Sequence, residues 1–288
     1  MWTQLPALIF DGLAYGSLLF LMGVGLSITL GLMNVVNLAH GVFALFGGYL
    51  FIALLQGLGL GFVSALGWVF VLFLLVGGLT EWLFFRLLYR LPPLEQVLLT
   101  LGVSFIAMAV ATYFWGPTQQ FVSLPFWLQG QWQWAGHRFG FFQMLLIGLV
   151  WVVGALFWLG LERTLWGARI RAAVDNYTVA QGLGIPVAAL FRFYFALGAG
   201  LAGLGGALGT VVLGIEPSFV LKYLVFLLMM VVLGGAGSIR GPLLAAWLLG
   251  ILDVSGKYFF PDFSAFVLYA AMVVLLLFFP QGLLNRQR

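Results

Sequence analysis

The chain has 288 residues, of which 64% are hydrophobic and 7% are charged, and its net charge is +4. A soluble domain carries roughly 25% charged residues, so this composition excludes a soluble globular protein and indicates one that lies in a lipid bilayer. The absence of cysteine excludes disulfides, thiolate metal sites and cysteine nucleophiles, and the small positive charge, spread over short loops, does not favour nucleic-acid binding.

Apolar stretches long enough to cross a bilayer recur along the whole chain. A membrane core needs about 20 residues of apolar helix. We predict nine spans, at residues 6–31, 38–56, 62–80, 95–115, 141–161, 190–213, 220–235, 242–258 and 263–280. The predicted fold class is an all-α polytopic membrane protein with about 8–10 transmembrane helices, some of them broken or re-entrant. No segment has the composition of a water-soluble domain, so we expect one transmembrane domain over residues 1–288.

The basic residues divide unequally between the two sides of these spans. With the N-terminus outside, nine of the twelve Lys and Arg residues fall on the inner side, and three fall on the outer side: Arg138, Lys222 and Lys257. Because positive charge concentrates in cytoplasmic loops, we predict a multi-pass protein of the cytoplasmic (inner) membrane with its N-terminus outside and its C-terminus in the cytoplasm.

The first polar interruption of the apolar sequence lies at residues 31–41 (GLMNVVNLAHG). Asn34, Asn37 and His40 are costly inside a membrane unless they face a cavity or a partner. A broken helix at membrane depth must be covered by protein or line a water-filled cavity. The segment is therefore either such a break or a short cytoplasmic turn in which Asn34 or Asn37 caps the next helix, and spacing alone favours neither.

A second Gly-rich segment, residues 234–242 (GGAGSIRGP), precedes an apolar stretch that begins at Pro242, a residue suited to the first turn of a helix. Two breaks, one in each half, are typical of transporters built from internal repeats, and we predict such a repeat. Simple alternation of the spans puts both breaks on the inner side, whereas an inverted repeat requires opposite sides. Either one break lies at mid-membrane or the span count is off by one.

The longest inner loop, residues 162–188, contains a predicted helix at 168–181. Apolar residues recur there at helical spacing: Ile170, Ala173, Val174 and Tyr177. Two glycines and a proline then end the helix: Gly182, Gly184 and Pro186. The helix either lies on the inner lipid surface, held by Arg169 and Arg171, or docks its apolar face in a groove of a cytoplasmic partner. Composition alone slightly favours the lipid surface.

The sequence contains no support for enzyme chemistry. His40 and His137 are the only histidines and lie in different loops, and no metal-ligand cluster is present. Neither Lys222 nor Lys257 lies in a phosphate-binding GxxxxGK[ST] loop. We therefore expect no catalytic residues, no metal and no cofactor, and any ATP that drives transport must be hydrolysed by another chain.

The chain resembles the branched-chain amino acid ABC permeases, specifically the smaller of their two membrane subunits, along nearly its whole length. Four segments carry the resemblance: residues 31–41, 99–104 (LTLGVS), 183–185 (LGI) and 232–242 (VLGGAGSIRGP). Together they are specific, whereas each alone is weak. The resemblance implies a second permease subunit of similar fold, two cytoplasmic ATP-binding subunits and an extracytoplasmic substrate-binding protein. Segment 116–140, rich in Trp, Gln and Phe, departs from the family pattern.

The resemblance also implies functional residues. We predict a substrate path that includes six polar residues: Asn34, Asn37, His40, Thr100, Ser104 and Ser238. The resemblance also favours the alternative in which helix 168–181 docks on the ATPase, rather than the one in which it lies on the lipid surface. The predicted coupling residues are Arg169, Ile170, Arg171, Val174, Tyr177, Gly182 and Gly184.

The expected function is that of the permease subunit of an ATP-driven importer for branched-chain or other hydrophobic amino acids. One alternative is a permease of the same family for urea or short amides. Another is a secondary transporter or channel that works alone, which would need no docking helix and usually needs buried ionisable groups for ion coupling. A purely structural subunit is disfavoured by the polar breaks in apolar sequence.

Overall fold

A computed structural model describes residues 5–89, 91–134, 136–235, 240–279 and 282–283, with only the backbone of Leu32, Trp134 and Tyr177. In chain order, the helices in these ranges are α1 Leu5–Leu32, α2 His40–Ile52, α3 Phe62–Thr80, α4 Arg86–Leu88, α5 Pro93–Trp115, α6 Phe141–Arg163, α7 Leu165–Asp175, α8 Tyr177–Gly182, α9 Val187–Val212, α10 Phe219–Gly234, α11 Arg240–Phe259 and α12 Ser264–Phe278. The π-helical turns Ala53–Gly57 and Glu81–Phe85 extend α2 and α3.

Most of the predicted spans are confirmed as helices that can cross a membrane. Seven segments of the described chain are long and apolar enough: Leu5–Gly31, His40–Gly57, Phe62–Leu88, Pro93–Trp115, Phe141–Arg163, Val187–Val212 and Pro261–Phe278. The other two predicted spans are also helical, as α10, which is apolar but has 16 residues, and α11, which carries three charged residues. The all-α polytopic fold class is therefore confirmed.

A small β-hairpin was not predicted from the sequence. Strands β1 Gln131–Trp134 and β2 His137–Gly140 pair antiparallel, with Gln131 opposite Gly140. The hairpin lies within the Trp- and Gln-rich segment 116–140, directly before α6.

Helices α1 and α9 form the centre of the bundle, and most of their residues are buried. Helix α1 packs chiefly on α11, and α9 packs on α3 and α2. The two central helices approach most closely at Gly25 and Gly198, where a Cβ added to either glycine would lie 2.6 Å from the Cα of the other. Small residues at this contact let the two backbones pack directly, as is common between membrane helices.

The helix contacts repeat between the two halves of the chain. Helices α1, α2, α3 and α5 correspond in order to α9, α10, α11 and α12, since α1 packs on α11 as α9 packs on α3, and α2 packs on α9 as α10 packs on α1. Helix α9 follows five crossing segments, so the second half runs inverted relative to the first. The pattern agrees with an internal repeat, but it corrects the predicted pairing of breaks. The equivalent of the α1–α2 connection is the α9–α10 connection, residues 213–218, not residues 234–242.

The bundle has two distinct ends. At one, the hairpin end, the ring of Phe10 near the start of α1 lies 4.9 Å from the ring of Phe139 in β2. At the other, the α7–α8 end, Arg240 pairs with Glu162 at 3.3 Å. The basic residues of the described ranges divide between these ends, with six at the α7–α8 end and three at the hairpin end: Arg86, Arg163, Arg169, Arg171, Arg192 and Arg240 against Arg138, Lys222 and Lys257. The asymmetry matches the expected one, and the orientation in the membrane stays a prediction.

Candidate functional site

The connection between α1 and α2, residues 33–39, breaks the helical structure inside the bundle. His40 begins α2, and a Cβ added to Gly25 of α1 would lie 2.5 Å from its Cε1 atom. Gly25 lies seven residues before Leu32, the last residue of α1, a distance of roughly 10 Å along a helix axis. The chain therefore turns back into the bundle before α2 begins. This geometry supports a broken helix over a short cytoplasmic turn.

Asn34 makes the turn that reverses the chain. Its φ of 52° is in the left-handed region, which Asn tolerates better than most residues. On either side of it, the N–H groups of Met33 and Val35 donate to the carbonyl of Thr29 at 3.1 and 3.2 Å. The side chain of Asn34 is exposed and lines an open cavity at the α7–α8 end.

A polar stripe on α5 binds the backbone of the break. The N–H of Val36 donates to Gln96 Oε1 at 2.9 Å, and that of Leu38 donates to Thr100 Oγ1 at 3.2 Å. The Ser104 hydroxyl donates to the Leu38 carbonyl at 3.4 Å. Unwound backbone at membrane depth needs such partners, because no water is present to replace them. Helix α5 therefore holds the break in its broken form.

Thr100 and Ser104 are both fully buried against the break, and their place on a substrate path stays a prediction. Gln96 was not predicted, although its spacing of four residues from Thr100, and of eight from Ser104, marks one face of an apolar helix. Its amide also donates to the carbonyls of Leu88 and Leu91, at 3.1 and 3.0 Å, which fixes the chain entering α5.

Asn37 and His40 carry polar atoms that this arrangement leaves unsatisfied. Asn37 Oδ1 accepts a hydrogen bond from the Ala39 N–H at 3.1 Å. Its Nδ2 atom and both ring nitrogens of His40 are buried and have no partner among the described residues. Buried polar groups are normally hydrogen-bonded, and leaving one unsatisfied costs about 1–3 kcal/mol. Three such atoms lie within four residues at the start of α2, and their role in a substrate path stays a prediction.

The start of α10 lies next to the start of α2. A Cβ added to Gly41, the second residue of α2, would lie 3.3 Å from Cγ1 of Val220, the second residue of α10. The N-termini of the two helices are therefore neighbours inside the bundle. Helix N-termini carry partial positive charge, and paired discontinuous helices form the substrate sites of many transporters.

An open cavity of about 1210 Å³ joins the break to the α7–α8 end. Met33 and Asn34 of the break line it on one side, and Ala173, Val174 and Gln181 of α7 and α8 line it on the other. The cavity therefore places the predicted path residue Asn34 beside the predicted coupling residue Val174.

A partly buried ion pair, between a buried glutamate and a half-exposed arginine, lies next to this cavity. Glu81 is 1% exposed, and its Oε2 atom lies 3.2 Å from Arg192 Nε of α9. The Tyr89 hydroxyl donates to Glu81 Oε1 at 2.7 Å and lies 3.8 Å from the sulfur of Met33. Glu81 therefore lies inside the protein, where it connects α3, α9 and the break.

The predicted helix 168–181 is two helices, α7 and α8, that meet at Asn176. The backbone of Asn176 is extended, with φ −154° and ψ 100°, and its Oδ1 accepts a hydrogen bond from the Val179 N–H at 3.0 Å. Asn176 therefore caps a new helix, which corrects the prediction of one continuous helix. Gly184 has a φ of +79°, so a glycine ends this region as predicted.

The coupling residues differ in how they are placed. Ile170 is fully buried and packs within this chain, so it is not available for a partner. Val174 is exposed, and so are Arg169, Arg171, Gly182 and Gly184, while the Arg171 guanidinium donates to the Leu161 carbonyl. The side chain of Tyr177 and all of Ser238 lie outside the described residues. Exposed apolar side chains that the prediction omitted lie in the same region: Leu165, Trp166, Val179 and Leu183.

Comparisons with known proteins agree on one family. The family described as branched-chain amino acid transport system / permease component matches residues 8–276. The chain is 27% identical to the high-affinity branched-chain amino acid transport system permease protein LivH of Escherichia coli K12, over 96% of this chain and 94% of that protein. It is 28% identical to BraD of Pseudomonas aeruginosa, again over 96% and 94%. It is also 28% identical to LivM of Salmonella typhimurium, over 93% of this chain and 68% of that protein. No solved structure matches the chain.

Proposed function

Because the chain belongs to the branched-chain amino acid transport system permease family, we propose that it forms the path by which an ATP-driven importer carries branched-chain or other hydrophobic amino acids across the cytoplasmic membrane. Its N-terminus lies outside and its C-terminus in the cytoplasm. The positive-inside asymmetry of the loops supports this orientation.

The observation that carries the proposal is the set of unsatisfied polar atoms of Asn37 and His40 at the N-terminus of α2. The free-energy cost of these atoms is tolerated if water or substrate forms hydrogen bonds with them in another state of the transport cycle. The break, the adjoining start of α10 and the cavity below it form a route from the centre of the bundle to the α7–α8 end. A purely structural subunit would need none of these features.

The partners follow from the family and from the surfaces of this chain. Proteins named LivH and LivM both match it, which supports pairing with a second, homologous permease subunit. ATP hydrolysis belongs to two separate cytoplasmic subunits, which dock at the α7–α8 end. An extracytoplasmic binding protein delivers substrate to the hairpin end.

The test is uptake of radiolabelled leucine by cells that express the assembled complex with Asn37→Leu or His40→Leu. We expect uptake to fall at least several-fold, because an apolar side chain cannot exchange hydrogen bonds with water or substrate, while the amount of assembled complex stays normal. Thr112→Val is the matched control, since Thr112 is exposed on α5 and, among the described residues, its hydroxyl bonds only the Met108 carbonyl, at 2.8 Å. Normal uptake by both break variants would refute the proposed path.

A further inference from the structure

A second cavity, of about 330 Å³, lies at the hairpin end, far along α1 from the break. It lies between α1, α6, α11 and the end of α9, and it opens to the surface at Asp11 and Lys257, whose side chains are exposed. Binding sites for small molecules begin at roughly 300 Å³, so the cavity suits a ligand of the size of a single amino acid.

The polar lining of this cavity contains both signs of charge. Asp253 of α11 is 5% exposed, and its Oδ2 atom lies 2.5 Å from Lys257 Nζ. The Lys257 ammonium also lies 5.5 Å from the ring centroid of Tyr15 on α1. Asp11 lines the same cavity, and the described part of the chain offers its carboxylate no hydrogen bond or ion pair. Asp253 and Lys257 form a local ion pair four residues apart on α11, in which Asp253 is buried and Lys257 is exposed.

The opposite lining is apolar. Leu18, Leu146 and Val254 come from three different helices and face the same space. An apolar wall beside a few polar groups of fixed position is the usual composition of a small-molecule site.

We propose that this cavity is a weak receiving site for a zwitterionic amino acid with an apolar side chain. The ammonium group of the ligand binds Asp11, its carboxylate binds Lys257, and its side chain lies against Leu18 and Leu146. Lys257 has three N–H donors and uses one for Asp253, so it can bind a second carboxylate. This inference rests on the proposed function, and it assigns the first contact that substrate makes after release from a binding protein.

The charges that line the site predict weak and selective binding. Lys257 is already paired with Asp253, so a ligand carboxylate gains only part of the attraction of a free ammonium. A zwitterion enters without adding net charge to a region of low polarity, whereas a cation or an anion adds one uncompensated charge, which is costly there.

The test uses the full-length permease in lipid nanodiscs and measures equilibrium binding of radiolabelled L-leucine. Leucinamide, which lacks the carboxylate, and 4-methylpentanoate, which lacks the ammonium group, serve as competitors. We expect each competitor to bind about tenfold more weakly than leucine, because each lacks one charged group that leucine hydrogen-bonds to the site.

Substitutions then test which residue binds each charged group of the ligand. Lys257→Gln should weaken leucine binding about tenfold and leave leucinamide binding unchanged, and Asp11→Asn should weaken leucine binding while leaving 4-methylpentanoate binding unchanged. Lys257→Arg should retain binding, which separates loss of charge from loss of folding. Glu216→Gln, at the same end but outside the cavity, is the matched control and should bind leucine as the wild type does.

Two results are distinguishable. Leucine binding that is unchanged in both Lys257→Gln and Asp11→Asn, in a complex that imports leucine, would overturn the receiving site and leave the proposed function intact. Failure of the wild-type complex to import any hydrophobic amino acid would overturn the proposed function itself, and the receiving site with it.

Discussion

The two interruptions at equivalent places in the repeat, residues 33–39 and residues 213–218, satisfy their backbones in different ways. In the first, side chains of α5 bind the backbone, and Asn37 and His40 keep unsatisfied polar atoms. In the second, Ile215 and Gln120 exchange two backbone hydrogen bonds of 2.8 Å, as in a β-bridge. Among the described residues of the second interruption, no buried side-chain polar atom is left without a partner.

The difference shows which interruption is built to change. The second interruption is fixed to segment 116–140 chiefly by backbone pairing, with one further hydrogen bond from the Gln119 amide to the Leu213 carbonyl. The first depends on three polar side chains of α5 and keeps unsatisfied groups at the start of α2. Unsatisfied polar groups cost about 1–3 kcal/mol each, and the proposed path gives a reason for keeping them in the first interruption, whereas the backbone pairing of the second holds the fold.

We expect the largest effect from a substitution on α7, at the end of the cavity below the first interruption. Val174→Asp should prevent stable binding of the ATPase subunit, because Val174, Val179 and Leu183 are exposed apolar side chains at the proposed docking surface. Burying each in an interface would contribute roughly 1.5–3 kcal/mol before ordering costs. Co-purification of the ATPase and substrate-stimulated ATP hydrolysis measure the effect.

Arg169→Ala is the matched control for that experiment. Arg169 is exposed next to the same surface, and an exposed ion pair contributes only about 0–1 kcal/mol, so ATPase binding should fall slightly or not at all. Full ATPase binding by Val174→Asp would instead favour the alternative in which α7 and α8 lie on the lipid surface.

The next largest effect is on thermal stability, and it compares the two side-chain amides that bind the interruptions, those of Gln96 and Gln119. Gln96→Leu removes three hydrogen bonds, one from Val36 and two to the carbonyls of Leu88 and Leu91, each worth about 1–3 kcal/mol if its buried partner is left unsatisfied. Gln119→Leu removes one exposed bond to the Leu213 carbonyl. Thermal unfolding of the purified variants should show a clearly lower Tm for Gln96→Leu than for Gln119→Leu. Equal losses would mean that the two interruptions are held alike.

The sequence predicted the spans and the position of the first break, but not the groups that hold it. Apolar periodicity and the polar run at 31–41 are local signals and suffice for those features. The role of Gln96 depends on α5 facing the break across 60 residues of sequence, which no local pattern contains. The same reason explains why residues 234–242, another break in apolar sequence, were paired with the wrong connection, and why Ile170 was expected on a free surface.

We expect the smallest effect on stability from the ion pair between Glu216 of the second interruption and Lys222 of α10. Glu216 lies 3.0 Å from Lys222, and the hydrogen bond from Lys222 lowers the pKa of the Glu216 carboxyl below 4.5. A lowered pKa in the folded state means that the pair stabilises the protein above the ordinary pKa of Glu and that this contribution is lost as the pH falls through the lowered pKa. Since both side chains are partly exposed, Glu216→Gln should cost about 0–1 kcal/mol at neutral pH.

Unfolding measured at pH 7 and below pH 4 should show the difference between variant and wild type disappear in acid; a difference that persists there would contradict the assignment.

The most direct test of the comparison is labelling with a membrane-impermeant thiol reagent during transport, for which the natural absence of cysteine makes the chain well suited. Asn37→Cys and Ile215→Cys would each carry a single thiol in otherwise intact complexes. Both positions are fully buried. We expect Asn37→Cys to react at a rate that rises when ATP and substrate are supplied, and Ile215→Cys to stay unreactive in every state. Equal protection of both positions throughout turnover, or faster labelling of Ile215→Cys, would contradict the conclusion that the first interruption forms the path.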